Sequence, residues 1–168
     1  MDYTLSIIRH KDAKESTLEK VIAIKQKAWP YPIESQMMWI KSNLKDDDLH
    51  FILMLGSQGV AYLNLCKVQC TINDVSTMCW GIGNVCSAIK GMGYGYKLMS
   101  MTNKWLKENN QIGLLFCHAF VEPFHKKCGW IKIDAEKCEI TGITPEIFTY
   151  AYNISQPLQK LKYTDRFF

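Results

Sequence analysis

The sequence predicts a single domain of the α/β (α+β) class that spans residues 1–168. Two observations predict this class. Patterns typical of strands and of amphipathic helices follow one another along the chain in the order β-α-α-β-β-β-α-β-α-β-β. Hydrophobic residues make up 48% of the chain and charged residues 21%, which is ordinary for a globular protein with a sizeable core.

The first third of the chain is predicted to form one strand and two helices. The strand covers residues 4–8, and Ser16 followed by Glu19 indicates a capping box at the start of the first helix. The second helix covers residues 34–43. The charged run at residues 45–48 is typical of a solvated loop.

The rest of the chain is predicted to be rich in strands. These strands lie at residues 51–55, 60–65, 74–89, 112–117, 131–133 and 147–154. The first two form a hairpin, and the third bends at Gly81 or Gly83. The polar C-terminal tail, residues 156–168, either packs back on the domain or frays.

Three alternating glycines join the third of these strands to an amphipathic helix. Because Gly91, Gly93 and Gly95 lack a Cβ, the backbone can approach a ligand closely there. The helix behind them presents unpaired N–H groups and the positive end of its dipole, a combination that favours a phosphate or pyrophosphate. Tyr96-Lys97 does not complete a P-loop, and the spacing fits no G-x-G-x-x-G fingerprint. A glycine-rich turn without a ligand stays the alternative.

The run Lys90-Gly91-Met92-Gly93-Tyr94-Gly95 resembles the acyl-CoA-binding motif Q/R-x-x-G-x-G/A of the GNAT superfamily of N-acetyltransferases. Lys90 stands at the Q/R place, which is a departure from the motif, and Gly93 and Gly95 stand at the glycine places. The resemblance implies that backbone N–H groups of this loop bind the pyrophosphate of acetyl-CoA.

A second stretch downstream is similar to the aromatic-Tyr-x-x-x-Gly-aromatic ending of the same superfamily. Phe124, Gly129 and Trp130 fit that ending, so that the resemblance covers the core motif at residues 85–130. It implies a GNAT-like mixed, mostly antiparallel sheet of six to seven strands, with helices on both faces. It also implies a splayed parallel pair at the cofactor slot, formed by the strand before the glycines and the strand that ends at Cys117.

The resemblance further implies how acetyl-CoA is held near the reacting carbonyl. Pantetheine pairs with the main chain near Val85 and Ser87, and the Val85 N–H donates to the thioester carbonyl, where it stabilises the developing oxyanion. His118 stands where many members have an Asn that helps to hold the cofactor. A buried strand residue is the alternative for Val85, and a structural histidine is the alternative for His118.

His125 occupies the position of the Tyr with which many GNAT proteins protonate the departing CoA thiolate. An imidazole with an ordinary pKa of about 6.5 suits a general acid, and the alternative is a half-exposed helix residue with no catalytic duty. No carboxylate lies within residues 75–89, where relatives often have a Glu as general base. A water relay is therefore the expected route for the amine proton, with Glu34, Asp48 and the C-terminal carboxylate as weaker candidates.

The acceptor is the least defined part of the site. In the superfamily the first two helices and the loop around residues 30–35 form one wall, which makes Tyr31 and Glu34 the candidate substrate-binding residues. A small amine, an amino acid or a peptide N-terminus is the expected acceptor. The few carboxylates in this region argue against a polycation such as an aminoglycoside.

Composition narrows the other partners. The seven cysteines, in a chain whose N-terminus is too polar for a signal peptide, are expected to be free thiols in the cytoplasm, and no zinc spacing predicts a metal. A net charge of +4 is too small to predict a nucleic-acid partner, and no apolar run predicts a membrane span. A homodimer is left open.

The predicted function is therefore that of an acetyl-CoA-dependent N-acetyltransferase, which moves an acetyl group directly to a primary amine. Two alternatives stay open. One is a catalytically silent acyl-CoA-binding sensor or regulatory domain, suggested by the missing Tyr and the missing Glu. The other is a structural or interaction domain that uses the fold alone.

Overall fold

The computed structural model describes residues 2–168, which form nine strands and four α-helices. The strands are β1 (Tyr3–Arg9), β2 (Leu49–Leu55), β3 (Gln58–Ile72), β4 (Val75–Ser87), β5 (Gly113–His118), β6 (Ile131–Lys132), β7 (Cys138–Ile140), β8 (Ile147–Tyr152) and β9 (Leu161–Tyr163). The helices are α1 (Glu15–Ala28), α2 (Ile33–Asn43), α3 (Tyr94–Glu108) and α4 (Glu122–Lys127). None of the helices within this range is long and apolar enough to cross a membrane.

The strands form a mixed sheet in the order β1-β2-β3-β4-β5-β8-β6, with β9 paired to β3 and β7. Its neighbours are mostly antiparallel, and β4 pairs with β5 in parallel. The predicted fold class and the parallel pair are therefore confirmed. The nine strands exceed the predicted six to seven because β7 and β9, of three residues each, were not predicted.

The chain divides into two compact units, and β3, β4 and α3 contribute residues to both. The first unit comprises residues 2–66, Gly83–Thr102 and Phe168. The second comprises Lys67–Ile82 and residues 103–167. The single domain over residues 1–168 stays a prediction.

In the first unit, β1 pairs with β2 along its whole length, from Tyr3↔Leu55 to Arg9↔Leu49. The β2–β3 hairpin was predicted, and Gly56 in its turn has a φ of +58°. Residues 60–66 are all buried, so this half of β3 is covered on both faces.

One local prediction in the first unit is wrong, and a second holds only in part. Helix α1 begins at Glu15 after Lys14, without a side-chain cap, so that Ser16 lies within its first turn and forms no capping box. In the charged run, residues 45–47 are exposed as predicted, whereas Asp48 is fully buried and its carboxylate accepts the Lys45 N–H over 2.7 Å.

In the second unit, β5 pairs with β4 at Trp80↔Gly113 and Gly81↔Leu114, and with β8 over six residue pairs. The C-terminal tail packs back on this unit. Its strand β9 pairs with β3 at residues 71–72 and lies parallel to β7. All seven cysteines are free thiols, as predicted.

Candidate functional site

The loop between β4 and α3 is an open turn with positive φ at two glycines. Gly91 and Gly93 have φ values of +82° and +75°, a backbone region that side chains rarely adopt. No heavy atom lies within 4 Å of the position that a Cβ would occupy at either residue. Lys90 and Met92 beside them are exposed. The loop therefore leaves free space next to its backbone.

Helix α3 begins directly behind this space. Its first intrahelical hydrogen bond runs from the Lys97 N–H to the Gly93 carbonyl over 3.0 Å, which places Gly95 inside the first turn. The N–H groups of Tyr94 and Gly95 precede that bond and lie at the positive end of the helix. Tyr94 is buried and packs edge-on against Tyr3, with ring centroids 6.2 Å apart. The helix terminus is thereby anchored, and no acidic residue occupies its first turn.

The end of β4 is irregular at Asn84, whose φ is +53°. The predicted bend is therefore at Asn84 and not at Gly81 or Gly83. The Asn84 side chain donates to Asn64 Oδ1 over 2.7 Å and so ties the irregular turn to β3. Val85 follows it and is half-buried.

Ser87 closes β4 just before the glycine loop. Its hydroxyl donates to the Ile89 carbonyl over 3.4 Å, and the Ala88 N–H donates to the Val60 carbonyl over 2.9 Å. These bonds fix the backbone that enters the loop. Val85, Ser87 and residues 90–95 all belong to the first unit, and among them only Tyr94 is buried.

A cavity of about 380 Å³ lies between α1, α2 and Asn84 in the first unit. Its lining includes Lys25, Trp29, Tyr31, Gln36, Trp39 and Asn84. Tyr31 was among the predicted substrate residues. Glu34, the other one, is exposed on α2 and is not part of the lining.

Lys25 and Gln36 were missed by the sequence analysis. Lys25 is 5% exposed, its burial lowers the pKa of its ammonium group, and its Nζ lies 4.6 Å from the centre of the Trp39 ring. Gln36 is 4% exposed and donates through Nε2 to the carbonyls of Trp29 and Tyr31, whereas its Oε1 has no hydrogen-bond partner. The sequence could have indicated that Lys25 is buried, because it falls on the same helical face as Val21 and Ile22.

The two predicted histidines belong to the second unit. His118 is exposed at the end of β5, where its ring stacks on Phe120 at a centroid distance of 5.7 Å. His125 on α4 is 6% exposed, so it is not the half-exposed residue of the alternative interpretation. Burial lowers the pKa of His125 to about 4, and its Nδ1 has no hydrogen-bond partner.

The Gly-aromatic pair after α4 has a structural role. Gly129 ends α4 with a φ of +81°. The Trp130 indole N–H donates to Asn103 Oδ1 over 3.0 Å, and Asn103 Nδ2 donates to the Cys128 carbonyl over 2.8 Å. A Cβ at Gly113 would lie 2.5 Å from the Trp130 ring, so this glycine is needed for the packing of the indole.

Comparison with known proteins places the chain in a family. Residues 9–133 match the model of a family described as an acetyltransferase (GNAT) domain. No curated protein matches the chain at a significant level. Within residues 2–168, no group of three His, Cys, Asp or Glu side chains is placed to hold a metal ion.

Several solved structures share the fold. Escherichia coli ElaA is 19% identical with a TM-score of 0.63, over 90% of this chain and 99% of that chain. Escherichia coli YhbS, a GNAT family N-acetyltransferase in complex with CoA, is 8% identical with a TM-score of 0.67, over 96% of this chain and 89% of that chain. A GNAT family acetyltransferase from Brucella melitensis in complex with acetyl-CoA is 12% identical with a TM-score of 0.58, over 96% of both chains. At these identities the likeness shows the fold alone.

Proposed function

The chain belongs to the GNAT family of acetyltransferases, and we propose that it transfers the acetyl group of acetyl-CoA directly to a primary amine. The family supports acyl-CoA-dependent acyl transfer. One observation carries the proposal for this chain. The open glycine loop, with positive φ at Gly91 and Gly93 and free space where a Cβ would lie, stands at the N-terminus of α3.

The residues of this segment fit acetyl-CoA. The amides of residues 91–95 supply donors for a pyrophosphate, and the exposed Lys90 adds a positive charge beside them. Val85 and Ser87 offer strand backbone for an amide-containing pantetheine arm. His118, exposed at the end of its strand, stays a candidate for a further cofactor contact.

The chemistry needs a neutral amine, a donor for the carbonyl oxygen and a proton for the leaving sulfur. The amine lone pair attacks the acetyl carbon while the Val85 N–H donates to the oxygen. A C–N bond forms, the C–S bond breaks, and the nitrogen loses one proton as the thiolate gains one. Water is the proposed carrier of the amine proton.

His125 acts differently in this scheme from an ordinary general acid. With a pKa of about 4 it is neutral near pH 7 and holds no proton that it readily gives up. We therefore propose it as a hydrogen-bond donor to the sulfur rather than as the proton source. The lowered pKa of His125 also favours the second candidate function, a catalytically silent acyl-CoA sensor.

Calorimetric titration with acetyl-CoA, CoA and dephospho-CoA tests the proposal. We expect acetyl-CoA and CoA to bind, and acetyl-CoA to release thiol with at least one member of a panel of primary amines. Because the chain carries seven free cysteines, each assay needs a control without amine. A folded sample that binds no CoA species would overturn the proposal, and binding without turnover across the panel would favour the sensor.

A further inference from the structure

We propose that the acceptor is a small amine that also carries a carboxylate, bound in the cavity of α1 and α2 with its carboxylate at Lys25 and an N–H at Gln36. This inference rests on the proposed function and names the substrate class of that same site. It is carried by two buried side chains that line one cavity: Lys25, which takes part in no salt bridge within residues 2–168, and Gln36, whose Oε1 has no hydrogen-bond partner.

Lys25 is a buried cation with no anion beside it. Its Nζ lies 4.6 Å from the centre of the Trp39 ring, and within residues 2–168 it takes part in no salt bridge. The nearby Cys86 thiol is neutral, since burial raises its pKa to about 12. A buried charge of this kind is normally paired. Lys25 therefore places a cation on the wall of the cavity, where it can bind an anionic oxygen of a ligand.

Gln36, in contrast, has a side-chain oxygen that lacks a hydrogen-bond donor. Both hydrogen bonds of its Nε2, to the carbonyls of Trp29 and Tyr31, fix the orientation of the amide. The Oε1 is buried and unpartnered, so it lacks an N–H donor. A cation and a neutral acceptor in one cavity suit a ligand with both a carboxylate and an N–H group, as in an amino acid.

The other lining residues favour a small ligand without additional positive charge. Trp29, Tyr31 and Trp39 supply aromatic walls for an apolar side chain, and about 380 Å³ is at the small end of ligand cavities. No acidic residue is part of the lining, and Lys25 repels additional positive charge. A polyamine or an aminoglycoside therefore fits poorly.

The cavity also adjoins the proposed reaction centre. Asn84, the residue before Val85, belongs to its lining, so that a ligand there lies beside the backbone that would hold the thioester carbonyl. The Lys25 charge would also lower the pKa of the acceptor's ammonium group and raise the fraction of neutral nucleophile.

A panel of matched ligands tests the inference. Glycine, methionine, phenylalanine and glutamate, each with its carboxamide, are titrated with and without CoA, and binding is followed by the fluorescence of the cavity tryptophans and by calorimetry. We expect at least one acid to bind about tenfold more tightly than its amide. That preference should vanish in Lys25→Met, survive in part in Lys25→Arg, and be unchanged in Lys27→Met, an exposed position on the same helix.

A second variant guards against misfolding of the first. Gln36→Glu places a negative charge in the cavity and should also abolish the preference for the acid. The inference is overturned if no acid binds more tightly than its amide, or if the preference survives in Lys25→Met. Either result leaves the proposed function standing as long as CoA binds, whereas failure of CoA to bind removes the proposed function itself.

Discussion

His50 Nδ1 lies 2.9 Å from the hydroxyl of Tyr62, and neither side chain is more than 1% exposed. The other ring nitrogen of His50 lies 3.0 Å from Nδ1 of the half-buried His10. Desolvation is the main cause that lowers the pKa of His50 to about 4, and the His10 ring adds to it. Burial also raises the pKa of Tyr62 well above its ordinary value. His50 and Tyr62 are therefore both neutral at physiological pH.

Stability should consequently fall as the pH is lowered. The unfolded chain takes up a proton on His50 near pH 6.5, whereas the folded chain does so only near pH 4. The resulting stability is present above about pH 6.5 and is lost as the pH falls towards 4. From about pH 7 to about pH 5 we expect His50 to lower the free energy of unfolding by about 2 kcal/mol, and His125 by a similar amount. Urea denaturation at both pH values measures this.

The control for this prediction is another histidine. His50→Gln should remove roughly half of the pH dependence, and His118→Gln, at an exposed position, is the control substitution. An NMR titration in which the His50 ring of the folded protein becomes protonated near pH 6.5 would contradict the prediction.

Most of the architecture was predictable because its signals are local. The alternating glycines, the strand before them and the amphipathic helix after them all lie within residues 75–108, so no long-range information was needed. The hairpin of β2 and β3 is similarly encoded by two apolar runs and a turn. The short strands β7 and β9 lack such a signal, since β9 pairs with residues some 90 positions earlier in the chain.

Tyr31 of the candidate acceptor cavity was predicted, but Lys25 and Gln36 were not, for a related reason. In the sequence, Lys25 is a single polar residue in a helix. No local pattern indicates that Gln36 and Trp39, from the next helix, line the same cavity. The irregularity of β4 was assigned to a glycine because glycine tolerates positive φ best. It lies at Asn84, where the hydrogen bond to Asn64 holds the strained backbone.

Substitution of Gly93 should separate backbone strain from ligand binding. A side chain at φ +75° costs about 1–2 kcal/mol of stability, and its Cβ would occupy the free space beside the loop. We expect Gly93→Ala to weaken CoA binding by about tenfold or more, measured by calorimetry. Gly56→Ala is the matched control, because Gly56 has φ +58° and equally free space but lies in the β2–β3 turn. Equal CoA affinity in the two variants would mean that the glycine loop is only a turn.

The role of His125 can be tested through turnover. If its neutral imidazole donates a hydrogen bond to the sulfur, His125→Phe should lower kcat by about tenfold with little change in the KM for acetyl-CoA. His125→Asn, which keeps an N–H donor, should recover part of the loss. Since the pKa of His125 is about 4, no limb of the pH–rate profile between about pH 6 and about pH 8 should disappear in either variant. Unchanged turnover in His125→Phe would exclude a role at the sulfur.

Asn103 should be the polar residue on which the packing of the Gly-aromatic pair depends. Its amide is 8% exposed and serves both the Trp130 indole N–H and the Cys128 carbonyl. Asn103→Ala deprives the buried indole N–H and the half-buried Cys128 carbonyl of their partner, which should cost about 2–3 kcal/mol of stability in urea denaturation. Asn109→Ala removes an amide that donates to the Trp105 carbonyl from an exposed position, and should cost less than about 1 kcal/mol. Asn103→Asp keeps the acceptor for the indole but sets a buried carboxylate oxygen against the Cys128 carbonyl, so its loss should be at least as large as that of Asn103→Ala. A loss in Asn103→Ala no larger than in Asn109→Ala would show that water replaces the buried amide.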